Sequence, residues 1–154
     1  SELFNREILL QFAQQLPPEY SLCRIDQTIY ELSRQESWSY DFCSQFYNFT
    51  DYYNRGLGFA VLHQGQLVSA ASSYTVYREG IEIEVGTRKE YRNQGLATAC
   101  AAKLILECLN QKRYPSWDAA NKASLALAEK LGYEFSHEYA TYEIAIKESK
   151  SSSF

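Results

Sequence analysis

Residues 82–98 read Glu-Ile-Glu-Val-Gly-Thr-Arg-Lys-Glu-Tyr-Arg-Asn-Gln-Gly-Leu-Ala-Thr, and the second half of this run is suited to holding an anion. A strand-like pattern ends at Thr87, a polar loop follows, and a helical pattern opens at Gly95. The first backbone N–H groups of a helix have no internal partner, and the helix dipole favours negative charge there. Gly95 and Ala97 keep that end bare, so a phosphate can come close to the backbone. A glycine alone is a weak signal and marks a plain helix start equally well. Arg92, Gly95 and a small residue at position 97, opening a helix straight after a strand, make a far more specific combination. Gly86, inside the strand, marks a bulge or a close backbone approach. Glu82 and Glu84, taken alone, also fit the wet face of an antiparallel strand. Arg88 and Lys89 read as a solvated loop.

The elements that must position this run are legible around it. Leu3, Phe4, Ile8, Leu9, Phe12 and Leu16 recur at helical spacing, and Pro17 and Pro18 stop that helix. A short strand is expected over 20–26, followed by helices over about 28–35 and 39–53, the second rich in Tyr and Phe. Three strand-like runs follow at 58–63, 66–77 and 81–87. Gln64-Gly65 joins the first two as a hairpin, and Glu79-Gly80 joins the next two. A helix over 95–111, a strand over 115–119, a helix over 121–131 ended by Gly132, and a final strand or hairpin arm over 133–146 complete the order. The expectation is an α+β fold with a mixed, mainly antiparallel central sheet flanked by helices. Residues 1–19 form an N-terminal helical extension, and residues 147–154 a polar, flexible tail.

Composition narrows the function classes. The 154 residues are 45% hydrophobic and 22% charged, which fits one globular domain with a real core. No run approaches the roughly 18 apolar residues of a membrane span, and no secretory leader pattern opens the chain. There is no Met, so a trimmed or longer parent chain is expected. A formal net charge of −4 argues against nucleic-acid binding, because phosphate contacts need surplus cationic charge. Yet residues 1–77 hold four Arg and no Lys, whereas residues 78–154 hold eleven Lys or Arg, so an anionic ligand belongs in the second half. Cys23, Cys43, Cys100 and Cys108 form no CxxC pair, and His63 and His137 are isolated bystanders, so no metal site is expected. Cys100 and Cys108 fall in a helical apolar pattern and read as reduced core thiols, which suggests a cytoplasmic setting.

Arg92-Asn93-Gln94-Gly95-Leu96-Ala97 matches the pattern Gln/Arg-x-x-Gly-x-Gly/Ala, and on this segment the chain resembles the GNAT superfamily of acyl-CoA-dependent N-acyltransferases. Asn121 and Leu131-Gly132-Tyr133 extend the likeness. Tyr91 to Thr98, Trp117-Asp118-Ala119-Ala120-Asn121 and the 127–133 stretch look most like the branch containing zwittermicin A resistance proteins. The resemblance spans about residues 20–146 and implies the GNAT-like sheet, with acetyl-CoA as cosubstrate and no metal. It implies that Val85, Gly86 and Thr87 lend backbone groups to the pantetheine arm where the strand splays from its neighbour. It further implies that Asn93, Gln94, Gly95, Leu96, Ala97 and Thr98 wrap the pyrophosphate, with Arg92 opening the loop. Asn121 and Ser124 would contact the coenzyme from the next helix. Asn121 would also serve as an ordinary helix cap.

The resemblance also implies a reaction: N-acetyl transfer to a primary amine by direct attack. An amine with a lysine-like pKa near 10.4 must lose a proton before it attacks a thioester. The family commonly uses a carboxylate on the strand before the phosphate loop, which points to Glu84, with Glu82 as the other candidate. Backbone N–H groups near Val85 to Thr87 would steady the oxyanion. The chain departs from the pattern at Ala128, where many members carry a Tyr that protonates the leaving thiol; Tyr133, Tyr139, Tyr142 or a water would have to substitute. The acceptor is expected to be an amine-bearing small molecule, with a protein N-terminus or lysine as the other option. The alternative class is a non-catalytic acyl-CoA-binding sensor or interaction domain.

Overall fold

The computed structural model describes residues 4–118, 122–136 and 141–144. Helix α1 (Arg6–Gln14) starts where the Asn5 side chain accepts a hydrogen bond from the Ile8 N–H, replacing a partner the first turn lacks. Strand β1 (Tyr20–Arg24) and helix α2 (Gln27–Ser33) follow, the latter capped by Asp26 on the Ile29 N–H. After α3 (Phe49–Arg55) come the antiparallel strands β2 (Gly58–His63), β3 (Gln66–Tyr77) and β4 (Gly80–Thr87). Helix α4 (Leu96–Gln111) crosses to β5 (Tyr114–Asp118), which runs parallel to β4. Helix α5 (Lys122–Leu131) and the hairpin β6 (Tyr133–Ser136) and β7 (Thr141–Ile144) complete the described chain.

The strands lie in the order β1-β2-β3-β4-β5-β7-β6, and β4–β5 is the parallel pair among the described strands. The sheet carries a packed layer on each face. On one face, α4 lays Cys100, Ala101, Ala102, Leu104, Ile105 and Cys108 against Val61, Val68, Ile81 and Ile83. Its small alanines let the helix axis come close to the strands. Helix α1 packs on α4, and Phe4 meets Tyr133 edge-on at 5.3 Å. On the other face, Ile29, Tyr30, Phe42, Cys43, Phe46 and Tyr52 cover Ala60, Leu67 and Ala70. The mainly antiparallel α+β sheet expected from the sequence is the one observed.

One expected element is different. Residues 39–53 do not form a single helix: a short 3-10 turn, Tyr40–Phe42, is followed by an irregular stretch before α3. Two side chains impose the break. Ser39 Oγ donates to the Ser33 carbonyl at 2.8 Å, tying the entry of the turn to the end of α2. Asn48 accepts from the Asp51 N–H at 2.9 Å and starts a new helix, while Asp51 accepts from the Tyr47 N–H at 3.0 Å. Phe42, Phe46 and Tyr52 have helix-like spacing because they share one core, with Phe46 and Tyr52 edge-on at 4.9 Å. The segment therefore arches over the sheet and leaves Tyr47 93% exposed.

Candidate active site

The helix start expected at Gly95 is built by backbone geometry. Gly95 caps α4 with φ +80° and no side-chain capping bond, and Asn93 also sits at positive φ, +64°. The first intrahelical bond runs from the Ala99 N–H to the Gly95 carbonyl at 3.1 Å. The N–H groups ahead of it thus point out of the helix end without helical partners. A β-carbon built on Gly95 would meet nothing within 4 Å, so the space over this end is open. What favours glycine there is the left-handed backbone, which disfavours L side chains by about 1–2 kcal/mol. Arg92 is exposed, and its Nε donates to the Thr87 carbonyl at 3.3 Å, joining the loop to the end of β4. The Gln94 carboxamide oxygen accepts from the Tyr20 hydroxyl at 2.8 Å.

Beside this helix end the sheet parts. The β4–β5 ladder runs from Gly80↔Tyr114 to Ile83↔Trp117; beyond it, Trp117 and Asp118 pair with Tyr142 and Thr141 of β7. Among the described residues, the 84–87 stretch of β4 is laddered to β3 and lies beyond the β5 ladder, which ends at Ile83↔Trp117. Backbone N–H and carbonyl groups along that edge can therefore meet an extended ligand as a neighbouring strand would. The irregularity suggested at Gly86 lies elsewhere. Gly86 pairs regularly with Ala70, and the register shift falls between Ser73 and Thr75 on β3. Gly86 instead answers a close approach, since a β-carbon there would lie 3.2 Å from the Phe42 ring and 3.9 Å from Trp38.

Strand alternation settles which way the carboxylates face. Ile81 and Ile83 are buried in the larger core and Val85 packs on it, so Glu82, Glu84 and Gly86 face the other layer. Glu82 accepts from Thr75 Oγ1 at 3.2 Å. Glu84 stands opposite Ser72, half-buried, one pleat nearer the open edge. Ser72 Oγ donates to the Phe42 carbonyl at 2.7 Å and lies 2.8 Å from the Tyr52 hydroxyl, fixing the 3-10 turn over this face. Trp38 meets Phe42 edge-on at 5.7 Å and, with it, walls the space above Gly86.

Several contributors were hidden in the sequence. Arg88 is not a solvated loop residue: its guanidinium holds Glu36 through two bonds of 2.9 and 2.8 Å and lies 5.2 Å over Trp38. Those bonds hold the Glu36 carboxyl below its ordinary range. Ser69, fully buried, donates to the Gly86 carbonyl at 2.9 Å and lies 2.9 Å from Thr87 Oγ1, bracing the end of β4. No local spacing announces such cross-strand partners; the buried serines of β3, Ser69, Ser72 and Ser73, are the available signal.

Ala128 is fully buried in α5. Tyr133 is buried against Trp117, and its hydroxyl donates to the Pro115 carbonyl, so it is a core residue. Tyr142 occupies the register position opposite Trp117, where β5 leaves β4. Ser124 falls in the first turn of α5, and Asn121, Tyr139 and His137 lie outside the described residues. Among the described residues no group of three or more His, Cys, Asp or Glu is placed to hold a metal ion. No described helix is long and apolar enough to cross a membrane.

A sequence model of the GNAT acetyltransferase family matches residues 1–142. The chain belongs to the GNAT acetyltransferase family. It is similar to the uncharacterized N-acetyltransferase YdfB of Bacillus subtilis (strain 168), 35% identical over 131 residues that make up 83% of this chain and 49% of YdfB. A GCN5-related N-acetyltransferase-like protein from Streptococcus suis 89/1591 superposes with a TM-score of 0.82 at 44% identity. That likeness covers 93% of this chain and 54% of the other. The GNAT chain thus spans about half the length of these relatives. A GNAT family acetyltransferase from Elizabethkingia anophelis with acetyl-CoA bound shares the fold, with a TM-score of 0.56 at 16% identity over 78% of this chain and 79% of its own.

Proposed function

We propose that this GNAT chain moves an acetyl group from acetyl-CoA to a primary amine of a small molecule by direct attack. The observation that carries the reading is the bare, left-handed start of α4 set beside the edge of β4 that β5 has left. The N–H groups of the 93–98 segment, including Gly95, Leu96, Ala97 and Thr98, would hold the pyrophosphate, with Arg92 supplying charge. Val85, Gly86 and Thr87 would pair with the pantetheine arm, with Asn121 and Ser124 as the further coenzyme contacts that the family resemblance implies. In the transfer, Glu84, or Glu82 behind it, takes the amine proton. The amine nitrogen bonds to the acyl carbon, the C–S bond breaks, and the thiol leaves with a proton from water or from Tyr142. A thiol near pKa 8.5 is a fair leaving group, which makes Ala128 tolerable. The branch resemblance read from the sequence points to an aminated metabolite as acceptor, and the free, buried core thiols to a cytoplasmic setting.

A second reading, acyl-CoA binding without turnover, is favoured by Ala128 alone. Release of free thiol from acetyl-CoA in the presence of a panel of primary amines separates the two. Amine-dependent release supports the enzyme. Binding of acetyl-CoA with no release for any amine class, protein N-termini and lysines included, supports the sensor.

A further inference from the structure

The loop between β4 and α4 opens with a 3-10 turn, Lys89–Tyr91, in which the Tyr91 N–H donates to the Arg88 carbonyl at 2.8 Å, and past that turn the backbone bonding weakens. Arg92 N–H reaches the Lys89 carbonyl only at 3.5 Å, and both Asn93 and Gly95 adopt left-handed conformations. Side chains from the far edge of the sheet meet it instead. Tyr91 OH lies 2.9 Å from His63 Nδ1 at the end of β2, and Tyr20 OH, at the start of β1, donates to Gln94 Oε1 at 2.8 Å. The three rings pack together, with Tyr20 to His63 at 5.1 Å, His63 to Tyr91 at 5.5 Å and Tyr20 to Tyr91 at 6.3 Å. Two hydrogen bonds thus reach the loop on either side of Arg92 and Asn93, from residues 28 and 74 positions away in sequence.

We propose that Tyr20 and His63 are positioning residues for the acyl-CoA donor: through Tyr91 and Gln94 they hold the 92–95 loop in the shape that presents its N–H groups to the pyrophosphate. The inference rests on the acetyl-CoA reading of that loop and deepens it. His63 is therefore no bystander. Without the brace, the loop samples other shapes, and donor affinity falls by the fraction of time the competent shape is populated. The acceptor side, on the opposite face of β4 around Glu84 and Trp38, is untouched.

The test is acetyl-CoA affinity by calorimetry, with steady-state kinetics, for the wild type, Tyr91→Phe, Tyr20→Phe, His63→Ala and His63→Asn. The two Phe variants each lose one hydroxyl and keep the ring packing, so folding is preserved even where His63→Ala is compromised. Each is expected to weaken acetyl-CoA binding roughly 3- to 10-fold, as one net hydrogen bond does. The KM for acetyl-CoA rises in step, while kcat at saturating acetyl-CoA and the acceptor KM stay unchanged. His63→Asn, whose amide reaches the place of Nδ1, restores binding relative to His63→Ala. If the wild type binds and both Phe variants bind equally well, the brace is overturned while the acetyl-CoA reading stands. If the wild type itself does not bind, the acetyl-CoA reading falls and takes the brace with it.

Discussion

At the scale of single residues, the site turns on which face a side chain occupies. Glu84 shares the face of Gly86, under Trp38 and Phe42 and next to the edge where β4 is left by β5. In the proposed transfer, an acceptor amine held there would give its proton to this carboxylate before attacking the thioester. Glu84→Gln keeps the size and removes the base, so turnover should fall by about 10²- to 10⁴-fold with acetyl-CoA affinity unchanged. Rates on the proposed amine and calorimetric binding check both halves; unaltered turnover would move the role to Glu82. The cysteines give a second expectation. Burial pushes the thiol of Cys43 up to about 11 and those of Cys100 and Cys108 to about 12. In the unfolded chain they ionise near the ordinary thiol value of 8.5, whereas the folded chain keeps them neutral. Their contribution to stability is therefore complete below about pH 8.5 and is lost as pH rises toward 11–12. Urea midpoints at pH 7.5 and pH 10 should show the decline, and alkylation at pH 8 should find the half-buried Cys23 first.

At the scale of elements, the start of α4 joins sequence to chemistry. The β-carbon added by Gly95→Ala or Gly95→Asp meets nothing within 4 Å, so both changes cost only through the left-handed backbone, which Asp tolerates better than Ala. Weaker acetyl-CoA binding by the Asp variant than by the Ala variant therefore reports the charge placed at the helix end. Gly95→Asp should abolish acetyl-CoA binding, and Gly95→Ala should weaken it modestly with a loss of about 1–2 kcal/mol in stability; denaturant titration and calorimetry separate the two effects. Helix α3 depends on its cap in the same way. Asn48→Ala removes the acceptor for the Asp51 N–H and should cost about 1 kcal/mol, read as a lower unfolding midpoint. This cap is also one reason that residues 39–53 do not run as a single helix. The aromatic spacing is real, but it reflects a shared core reached by an arch, and Asn48 and Ser39 break the backbone ladder between its ends. Helix α4, by contrast, was legible because a strand end, a glycine and a long apolar stripe agree.

At the scale of the whole molecule, the order of elements and the sheet class could be read from alternation, turns and the helices that separate the later strands. The partners that complete the site could not. Arg88–Glu36, Ser69–Gly86 and Tyr91–His63 link residues 52, 17 and 28 positions apart, and no local pattern records which distant side chain a loop will meet. They became visible only when the sheet order put the β2–β3 hairpin beside the 88–95 loop. The same order places the bare helix end and the open edge of β4 side by side, and on that juxtaposition the acetyl-CoA reading depends. Thermal unfolding of the chain with and without acetyl-CoA tests it most directly. At a hundred times its dissociation constant a ligand adds about 2.7 kcal/mol, so the midpoint should rise by several degrees. An unchanged midpoint at millimolar acetyl-CoA would contradict the assignment of this site to the donor.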